Sequence, residues 1–164
     1  MIRLAETQDL TAIMEILQVV VQKMHNNNNF QWDAKYPREQ DFIEDINQGE
    51  LFVSVQEGEV AGFICINKVE PEEYKGLAWS LSQEALVIHR MAVSPAYQKL
   101  GIGAQLVGFA DELAKQKQMK YLKIDTYSGN PKAQRLFEKL GYTFVGEMHF
   151  NGKEKAFYCY EKLV

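Results

Sequence analysis

Hydrophobic and polar positions divide the first third of the chain into two helices and a loop. Apolar residues recur at three- and four-residue spacings from Leu10 to Met24, after the potential N-cap Thr7, which predicts an amphipathic helix. The stretch "REQDFIEDINQG" predicts a shorter helix that ends at Gly49. Between them, "HNNNNFQWDAKYP" is polar and aromatic and cannot continue a helix past Pro37, so we predict a functional loop.

The strand signals follow in a regular order. "LFVSV" and "VAGFICI" flank the turn "QEGE", which predicts a pair of strands. "ALVIHRMAV" is almost continuously apolar, as expected of a central strand that is covered on both faces, and "YLKIDTY" predicts another strand. The final stretches "YTFVGEMHF" and "EKAFYCYEKLV" predict two strands joined at Asn151-Gly152, a dipeptide typical of tight hairpin turns.

Two further helices complete the predicted elements. One has the apolar face Ile102, Leu106, Phe109, Ala110 and Leu113. The other is "NPKAQRLFEKLG", with Asn130 as N-cap, Pro131 at its first position and Gly141 just past its end. The order of elements predicts an α+β protein in three layers, with a mixed, mostly antiparallel central sheet flanked by helices.

Length and composition narrow the class of protein. A chain of 164 residues fits a single domain, predicted over residues 1–164. A net charge of −4 with 46% hydrophobic residues argues against nucleic-acid binding and against disorder. We see neither a signal peptide nor a long apolar span, so we expect a cytoplasmic protein without a membrane partner. Cys65 and Cys159 lie in apolar strands and lack metal-ligand spacing, which predicts buried free thiols and no metal.

The glycines Gly101 and Gly103 stand between a predicted strand and a predicted helix. Free backbone N–H groups and the helix dipole favour an anion such as phosphate at that position. The P-loop pattern is absent, and Leu106 occupies the place where a dinucleotide-binding fingerprint needs a small residue. A tight turn without a ligand is the alternative for an isolated Gly-x-Gly.

The residues around the glycines resemble the Gcn5-related N-acetyltransferase (GNAT) family. "QKLGIG", residues 98–103, is similar to the acyl-CoA loop [RQ]-x-x-G-x-[GA] of that family, and it follows the strand ending "MAV" and the connector "SPAYQ". "NPKAQRLFEKLGY" is similar to a later family motif, and together these motifs span residues 85–145. The resemblance implies the GNAT fold, acetyl-CoA as cosubstrate and acetyl transfer to a primary amine.

By this resemblance, N–H groups from Leu100 to Ala104 cradle the pyrophosphate of acetyl-CoA, and glycine lets the backbone approach it. The pantetheine arm pairs with Met91 and Val93 where the sheet splays, and the Met91 N–H stabilises the oxyanion. Asn130 caps its helix or reaches the pantetheine, and Phe137 packs beside it. The predicted cofactor-binding residues are Met91, Ala92, Val93, Gln98, Lys99, Leu100, Gly101, Ile102, Gly103, Ala104, Asn130 and Phe137.

Direct transfer requires a base, because an alkylamine with a pKa near ~10.4 is mostly protonated at neutral pH. We predict His89, since strict alternation puts it on the same strand face as Met91, and arylalkylamine N-acetyltransferases carry a similarly placed histidine. A structural histidine, or a carboxylate acting through water from Glu84 or Asp125, remains an alternative. Phe137 stands where many family members have a tyrosine acid. Tyr127 is a candidate substitute, or simply a packed strand-end residue.

The acceptor is the least defined part of the sequence. The aromatic residues Phe30, Trp32, Tyr36 and Trp79 are predicted to bind it. Acidic loop residues such as Asp33 would attract a cationic acceptor, unless they are simply solvated. A small molecule and a peptide amine are both open, and a non-catalytic acyl-CoA sensor is the alternative function. Family precedent makes a homodimer a possible assembly.

Overall fold

The computed structural model describes residues 1–150 and 152–164. All seven strands form one sheet in the order β1-β2-β3-β4-β5-β7-β6. Only β4 and β5 are parallel neighbours; the other pairs are antiparallel. The α+β class and the mixed, mostly antiparallel sheet are therefore confirmed. The strands are β1 Ile2–Leu4, β2 Leu51–Gln56, β3 Glu59–Asn67, β4 Leu86–Val93, β5 Tyr121–Tyr127, β6 Thr143–Met148 and β7 Phe157–Leu163.

Four α-helices cover the two faces of the sheet. They are α1 Leu10–Asn26, α2 Glu39–Asn47, α3 Ile102–Gln116 and α4 Pro131–Lys139. The apolar sides of α1 and α2 pack on one face with Leu51, Val53 and Phe63. The apolar sides of α3 and α4 pack on the other face, so each face of the central strands is buried. None of the helices in the described ranges is long and apolar enough to cross a membrane.

The ends of α2 and α4 follow the local sequence signals, whereas the N-cap predicted for α1 was wrong: Thr7 lies in a 3₁₀ turn over Thr7–Asp9, and α1 begins after Asp9. The Asn130 side-chain Oδ1 accepts a hydrogen bond from the Ala133 N–H at 3.2 Å, which caps α4 as predicted. Gly141 has φ +93° just after α4, and Gly49 has φ +69° after α2. Glycine adopts this left-handed conformation without a Cβ penalty, so both helices end where the sequence predicts.

The C-terminal hairpin forms with a longer connection than predicted. Met148 pairs with Phe157, so residues 149–156 join β6 to β7 in place of a two-residue turn. Of the predicted turn dipeptide, Asn151 lies outside the described residues. Strand β1 was not predicted, because three residues are too few to show an alternating pattern.

Strand β4 changes register in its second half. Ile64 of β3 pairs with Met91 and Ile66 pairs with Ile88, so His89 and Arg90 together oppose the single residue Cys65. Such a bulge adds one residue and breaks the alternation of side chains. Both Ile88 and Met91 consequently pack toward α3. His89 lies on the opposite face, so the prediction that it shares a face with Met91 and Val93 was wrong.

The same strand separates from β5 at this point. The parallel pairing begins at Leu86 with Leu122 and ends at Ile88 with Ile124. Beyond Ile88, β4 remains paired with β3 but diverges from β5, which continues along β7. The predicted splay in the sheet is thus present, and it lies directly beside the bulge.

Stability should depend strongly on the contact between α3 and the sheet. Leu106 is fully buried in the core under α3, so Leu106→Ala should cost about 2–5 kcal/mol of unfolding free energy by leaving a cavity. Leu163→Ala is the matched control, because Leu163 is 60% exposed and should change stability by less than about 0.5 kcal/mol. Urea denaturation checks both variants. Equal losses would contradict the described core.

Candidate active site

A groove of about 560 Å³ opens where β4 diverges from β5. Its walls come from α1, the end of β4, the turn before α3, and α4. Every predicted cofactor residue lines this groove except Leu100 and Phe137. Leu100 is 62% exposed, and Phe137 is buried beneath α4 against Tyr160, with ring centroids 5.7 Å apart. Leu136, which was not predicted, supplies the apolar wall from α4 instead.

The turn before α3 presents backbone N–H groups to the groove. Lys99 and Gly101 both adopt left-handed conformations, with φ of +70° and +76°. The Gln105 N–H donates to the Gly101 carbonyl at 3.0 Å, so the N–H groups of residues 102–104 have no partner within the helix. The turn and the helix dipole together favour an anion at this wall.

Gly103 has a different role from Gly101. Its φ is not in the left-handed region, and a Cβ added there would meet only Leu136 Cδ2 at 3.7 Å and Val93 Cγ2 at 3.8 Å. These are ordinary van der Waals distances, so the fold itself tolerates a side chain at Gly103. Since Gly103 lines the groove, its missing side chain chiefly leaves room for a ligand.

The groove is cationic although the protein is acidic overall. Its lining includes five basic residues: Lys23, Lys99, Lys132, Arg135 and Lys139. No Asp or Glu is among the described residues that line it, whereas the whole chain has a net charge of −4. The Lys23 ammonium also donates to Gln98 Oε1 at 2.7 Å, which links α1 to the turn. This concentration of positive charge fits a ligand with several phosphates.

The backbone of β4 offers a second kind of recognition. Beyond Ile88, the backbone groups of β4 that face β5 form no strand pairing with β5. An extended chain that contains amide groups can pair with such an edge, as a peptide does in β-augmentation. The geometry of the groove therefore suits a linear amide-bearing arm that ends in phosphates, which is the chemistry of coenzyme A.

A second, smaller cavity of about 60 Å³ lies next to the groove along β4. Residues 88–90 of β4 line this cavity and residues 91–93 line the groove, so the two spaces are adjacent along one strand. Its lining comprises Gln31, Trp32, Tyr36, Pro71, Ile88, His89, Arg90, Asp125, Phe150 and Phe157. Aromatic rings and one carboxylate dominate this set.

Arg90 is fixed in the wall of the cavity by three hydrogen bonds to two residues, which the sequence did not reveal. Its Nε and one terminal nitrogen donate to the two carboxylate oxygens of Asp45 at 2.8 and 2.7 Å. The other terminal nitrogen donates to the Tyr36 hydroxyl at 2.7 Å. Burial opposes the charge, but the hydrogen bonds to Asp45 and the electrostatic attraction of Tyr36, Cys65 and Asp45 together outweigh it and raise the pKa of Arg90. Asp45 also belongs to a group with Glu50 and Cys65, but its oxygens are already taken by the guanidinium.

His89 faces the cavity but is held by another side chain. Its Nε2 lies 2.6 Å from Asn67 Oδ1. Burial, helped by the neighbouring charge of Arg90, lowers the pKa of His89 to about 4. The ring is therefore neutral at pH 7, and it is a weak base with one nitrogen engaged.

Asp125 is the carboxylate of the cavity. The Tyr74 hydroxyl donates to its Oδ2 at 2.6 Å. Burial raises the pKa of Asp125 to about 6, although the bond from Tyr74 acts in the opposite direction. At pH 7 most of this group is ionised, yet it is far more basic than an ordinary aspartate. Glu84, the other predicted carboxylate, lies outside the cavity in an exposed ion pair with Lys68.

The predicted acceptor residues divide into two groups. Trp32 and Tyr36 line the cavity. Phe30 is 46% exposed and stacks against His25 at 5.4 Å between ring centroids. Trp79 lies in a separate surface depression, where the Lys123 ammonium is 4.2 Å from its ring centroid. The aromatic residues missed by the sequence are Phe150 and Phe157, which the C-terminal hairpin brings to the cavity.

Tyr127 packs in the core at the end of β5. Its side chain is 3% exposed, and its ring meets Phe157 edge-on with centroids 5.4 Å apart. The described linings of the groove and the cavity do not include it. This placement agrees with the packed strand-end alternative.

Comparison with known proteins agrees with this geometry. The model of the acetyltransferase (GNAT) family matches residues 14–142 of the chain. The chain belongs to the GNAT acetyltransferase family. The matched range of this GNAT protein includes most of α1 and the whole of β4, the turn and α4.

Individual relatives are distant in sequence but close in fold. The uncharacterized N-acetyltransferase YesJ of Bacillus subtilis is 21% identical over 143 residues, which is 85% of this chain and 79% of YesJ. A GNAT-family acetyltransferase from Streptococcus agalactiae superposes with a TM-score of 0.88 and 23% identity, covering 100% of this chain and 95% of its own. The yncA protein of Salmonella typhimurium, solved with its cofactor acetyl-CoA, has a TM-score of 0.73 and 19% identity, covering 99% and 92%. The GNAT fold is therefore shared along the full length of the sheet.

Substitutions at Gly103 distinguish a role in ligand access from a role in chain geometry. Gly103→Val should lower CoA affinity well beyond any loss of stability, because a branched side chain fills the approach to the N–H groups. Gly103→Ala should be milder, since its Cβ makes only ordinary contacts. Titration calorimetry with CoA, together with thermal denaturation of each variant, checks this prediction. A folded Val variant that binds CoA like the parent would show that the ligand does not approach this turn.

Proposed function

We propose that this GNAT protein transfers the acetyl group of acetyl-CoA directly to a primary amine that occupies the Asp125 cavity. The observation that carries the proposal is the meeting of two unlike spaces on consecutive residues of β4. The cationic groove at residues 91–93 suits a phosphate-bearing donor, and the aromatic cavity at residues 88–90 suits an amine, because it holds the Asp125 carboxylate while the Arg90 charge is paired with Asp45. A direct transfer needs both substrates to be held side by side in this way.

The donor is recognised by charge at one end and by backbone at the other. The turn and the basic residues of the groove would hold the phosphates of acetyl-CoA, and the free edge of β4 would pair with its amide arm. Acetyl-CoA supplies the activated thioester. We propose the Met91 N–H as the donor to the thioester oxygen, where negative charge develops during attack. The acetyl-CoA in the yncA structure supports this choice of donor.

We propose Asp125 as the general base in place of His89. A proton acceptor works best when its pKa is near the working pH, and Asp125, at about 6, meets this condition better than His89, at about 4. Its carboxylate also attracts a cationic amine before it accepts a proton. His89 then has a positioning role, since its bond to Asn67 fixes the bulged part of β4 beside the cavity.

The leaving group requires no tyrosine acid in this protein. Phe137 is buried, and Tyr127 packs away from both spaces. A thiol with a pKa near ~8.5 leaves readily as the thiolate, and positive charge in the groove would stabilise that anion. The absence of the usual tyrosine is therefore compatible with turnover.

The acceptor that fits best is a small primary amine with an apolar body. A cavity of about 60 Å³, closed by Trp32, Tyr36 and Phe150, is too small for a folded protein segment. Aromatic faces favour an apolar or cationic group, and Asp125 favours the ammonium. An assay of thiol release from acetyl-CoA with a panel of small amines and peptides tests this preference. The acyl-CoA sensor would bind acetyl-CoA and release no thiol with any amine.

Asp125→Asn should lower kcat by about 10²-fold or more while acetyl-CoA affinity stays near that of the parent. In the parent, kcat/KM for the amine should fall as the pH drops below about 6, because the raised pKa of Asp125 leaves it protonated there. Asp125→Asn should abolish this acid limb.

Tyr74→Phe should move the limb to higher pH, since the lost hydrogen bond stabilises the ionised carboxylate. Steady-state rates between pH 5 and pH 9, typical working values for such assays, provide the measurement.

Two matched variants complete the test of the base. Glu84→Gln removes a carboxylate outside the cavity and should leave the profile unchanged. His89→Gln should retain the acid limb even if its rate is reduced. Loss of the limb in His89→Gln, with the limb kept in Asp125→Asn, would assign the proton transfer to His89.

A further inference from the structure

Asp33 makes the hydrogen bonds that form a tight turn in the loop between α1 and α2. Asp33 Oδ1 accepts hydrogen bonds from the N–H groups of Lys35 at 2.7 Å and Tyr36 at 3.2 Å, and the Asp33 N–H donates to the Tyr36 carbonyl at 2.9 Å. This tight turn places Trp32 and Tyr36, the residues on either side of it, in the wall of the cavity. Asp33 therefore controls the shape of that wall with only one of its carboxylate oxygens.

The other oxygen of Asp33 reaches the far end of the chain. Its Oδ2 forms an ion pair with the ammonium of Lys153, which lies between β6 and β7. The two residues are 120 positions apart in sequence. The Lys153 N–H donates to the Phe150 carbonyl at 3.2 Å, so the lysine that pairs with Asp33 also shapes the segment that places Phe150 in the cavity. One ion pair thus joins the two loop segments whose rings enclose the acceptor space.

This contact is weaker than the other anchor of the same loop. The other anchor is the hydrogen bond from Arg90 to the Tyr36 hydroxyl. The Arg90 side chain is 14% exposed, and that of its partner Asp45 is 7% exposed. In the pair between Asp33 and Lys153, the lysine side chain is also 14% exposed, but the Asp33 side chain is 35% exposed and pairs through a single oxygen. A single ion pair with one partly exposed partner contributes less than a buried two-point pair, and salt screens it more strongly. Of the two contacts, the Asp33–Lys153 ion pair is therefore the one that can open without disturbing the sheet, because it joins two loops and no strand.

We infer that the Asp33–Lys153 ion pair is a latch that closes the two loops over the acceptor, so that both residues are positioning residues for amine binding. The inference rests on the proposed function for its kinetic consequence. When the pair forms, Trp32, Tyr36 and Phe150 surround the amine, which lowers its KM. When the pair opens, the amine can pass between the loops.

The kinetic test uses variants that remove charge and keep the turn. Asp33→Asn retains a side-chain oxygen for the Lys35 and Tyr36 N–H groups, and Lys153→Gln retains most of the side-chain length. Each should raise the KM for the amine about two- to fivefold and leave the Kd of CoA unchanged. The double variant should match either single variant, because a shared interaction is lost only once. Lys155→Gln, an exposed lysine of the same segment, is the control and should keep the parent KM.

Salt supplies an electrostatic check on the same enzymes. Raising the ionic strength should bring the KM of the parent toward that of Lys153→Gln while changing that variant little, since the pair is then screened. Additive effects in the double variant, or an unchanged KM in both single variants, would overturn the latch.

A fluorescence measurement tests closure without any acetylation. Trp32 is 4% exposed and Trp79 lies outside both spaces, so Trp79→Phe leaves one reporter at the latch. In that background, Lys153→Gln should increase the quenching of Trp32 by acrylamide, and Lys155→Gln should not. Equal quenching in all three proteins would overturn the latch even if an amine is acetylated. Increased quenching in a protein that acetylates no amine would support the latch and reject the proposed function.

Discussion

The structure depends on the β-bulge at His89 and Arg90. Without it, every second side chain of β4 would point to the same face, and Ile88 and Met91 could not both pack under α3. The extra residue lets β4 keep its contact with α3 on both sides of the irregularity while turning away from β5. The groove and the cavity depend on this change, since they lie next to each other along β4 at the point where its pairing with β5 ends.

The bulge includes the buried cation Arg90, which requires hydrogen-bond acceptors around it. Arg90 enters the face covered by α1 and α2, where an unpaired charge would be very costly. Asp45 on α2 and Tyr36 in the preceding loop supply the acceptors it needs. The position of α2 and of Tyr36 in the loop between α1 and α2 is thereby tied to β4. Loss of one partner from such a pair typically costs about 3–5 kcal/mol, which is comparable with the net stability of a small domain.

The parts of the protein that the sequence predicts well have local causes. The helices, their caps at Asn130 and Gly141, and the turn at residues 98–103 are each encoded within a few consecutive residues.

The parts that were mispredicted depend on residues far apart in sequence. A bulge leaves no mark in an apolar strand, so alternation put His89 on the wrong face. Phe137 stands at a motif position where many family members have tyrosine, but its depth under α4 follows from packing against Tyr160. The basic wall of the groove escaped notice because α1, the turn and α4 each contribute only part of it. The assembly and the cytoplasmic location remain predictions.

The basic groove also divides the charge of the molecule unevenly. Five of the 18 lysines and arginines line it, which leaves 13 to balance 22 aspartates and glutamates on the rest of the protein. A polyanion that approaches from most directions is therefore repelled, and one that approaches the groove is attracted. This arrangement orients a phosphate-bearing molecule before contact, so it acts mainly on the association rate. It also makes the surface unattractive to longer polyanions such as RNA, which would need to lie along acidic surface to reach the groove.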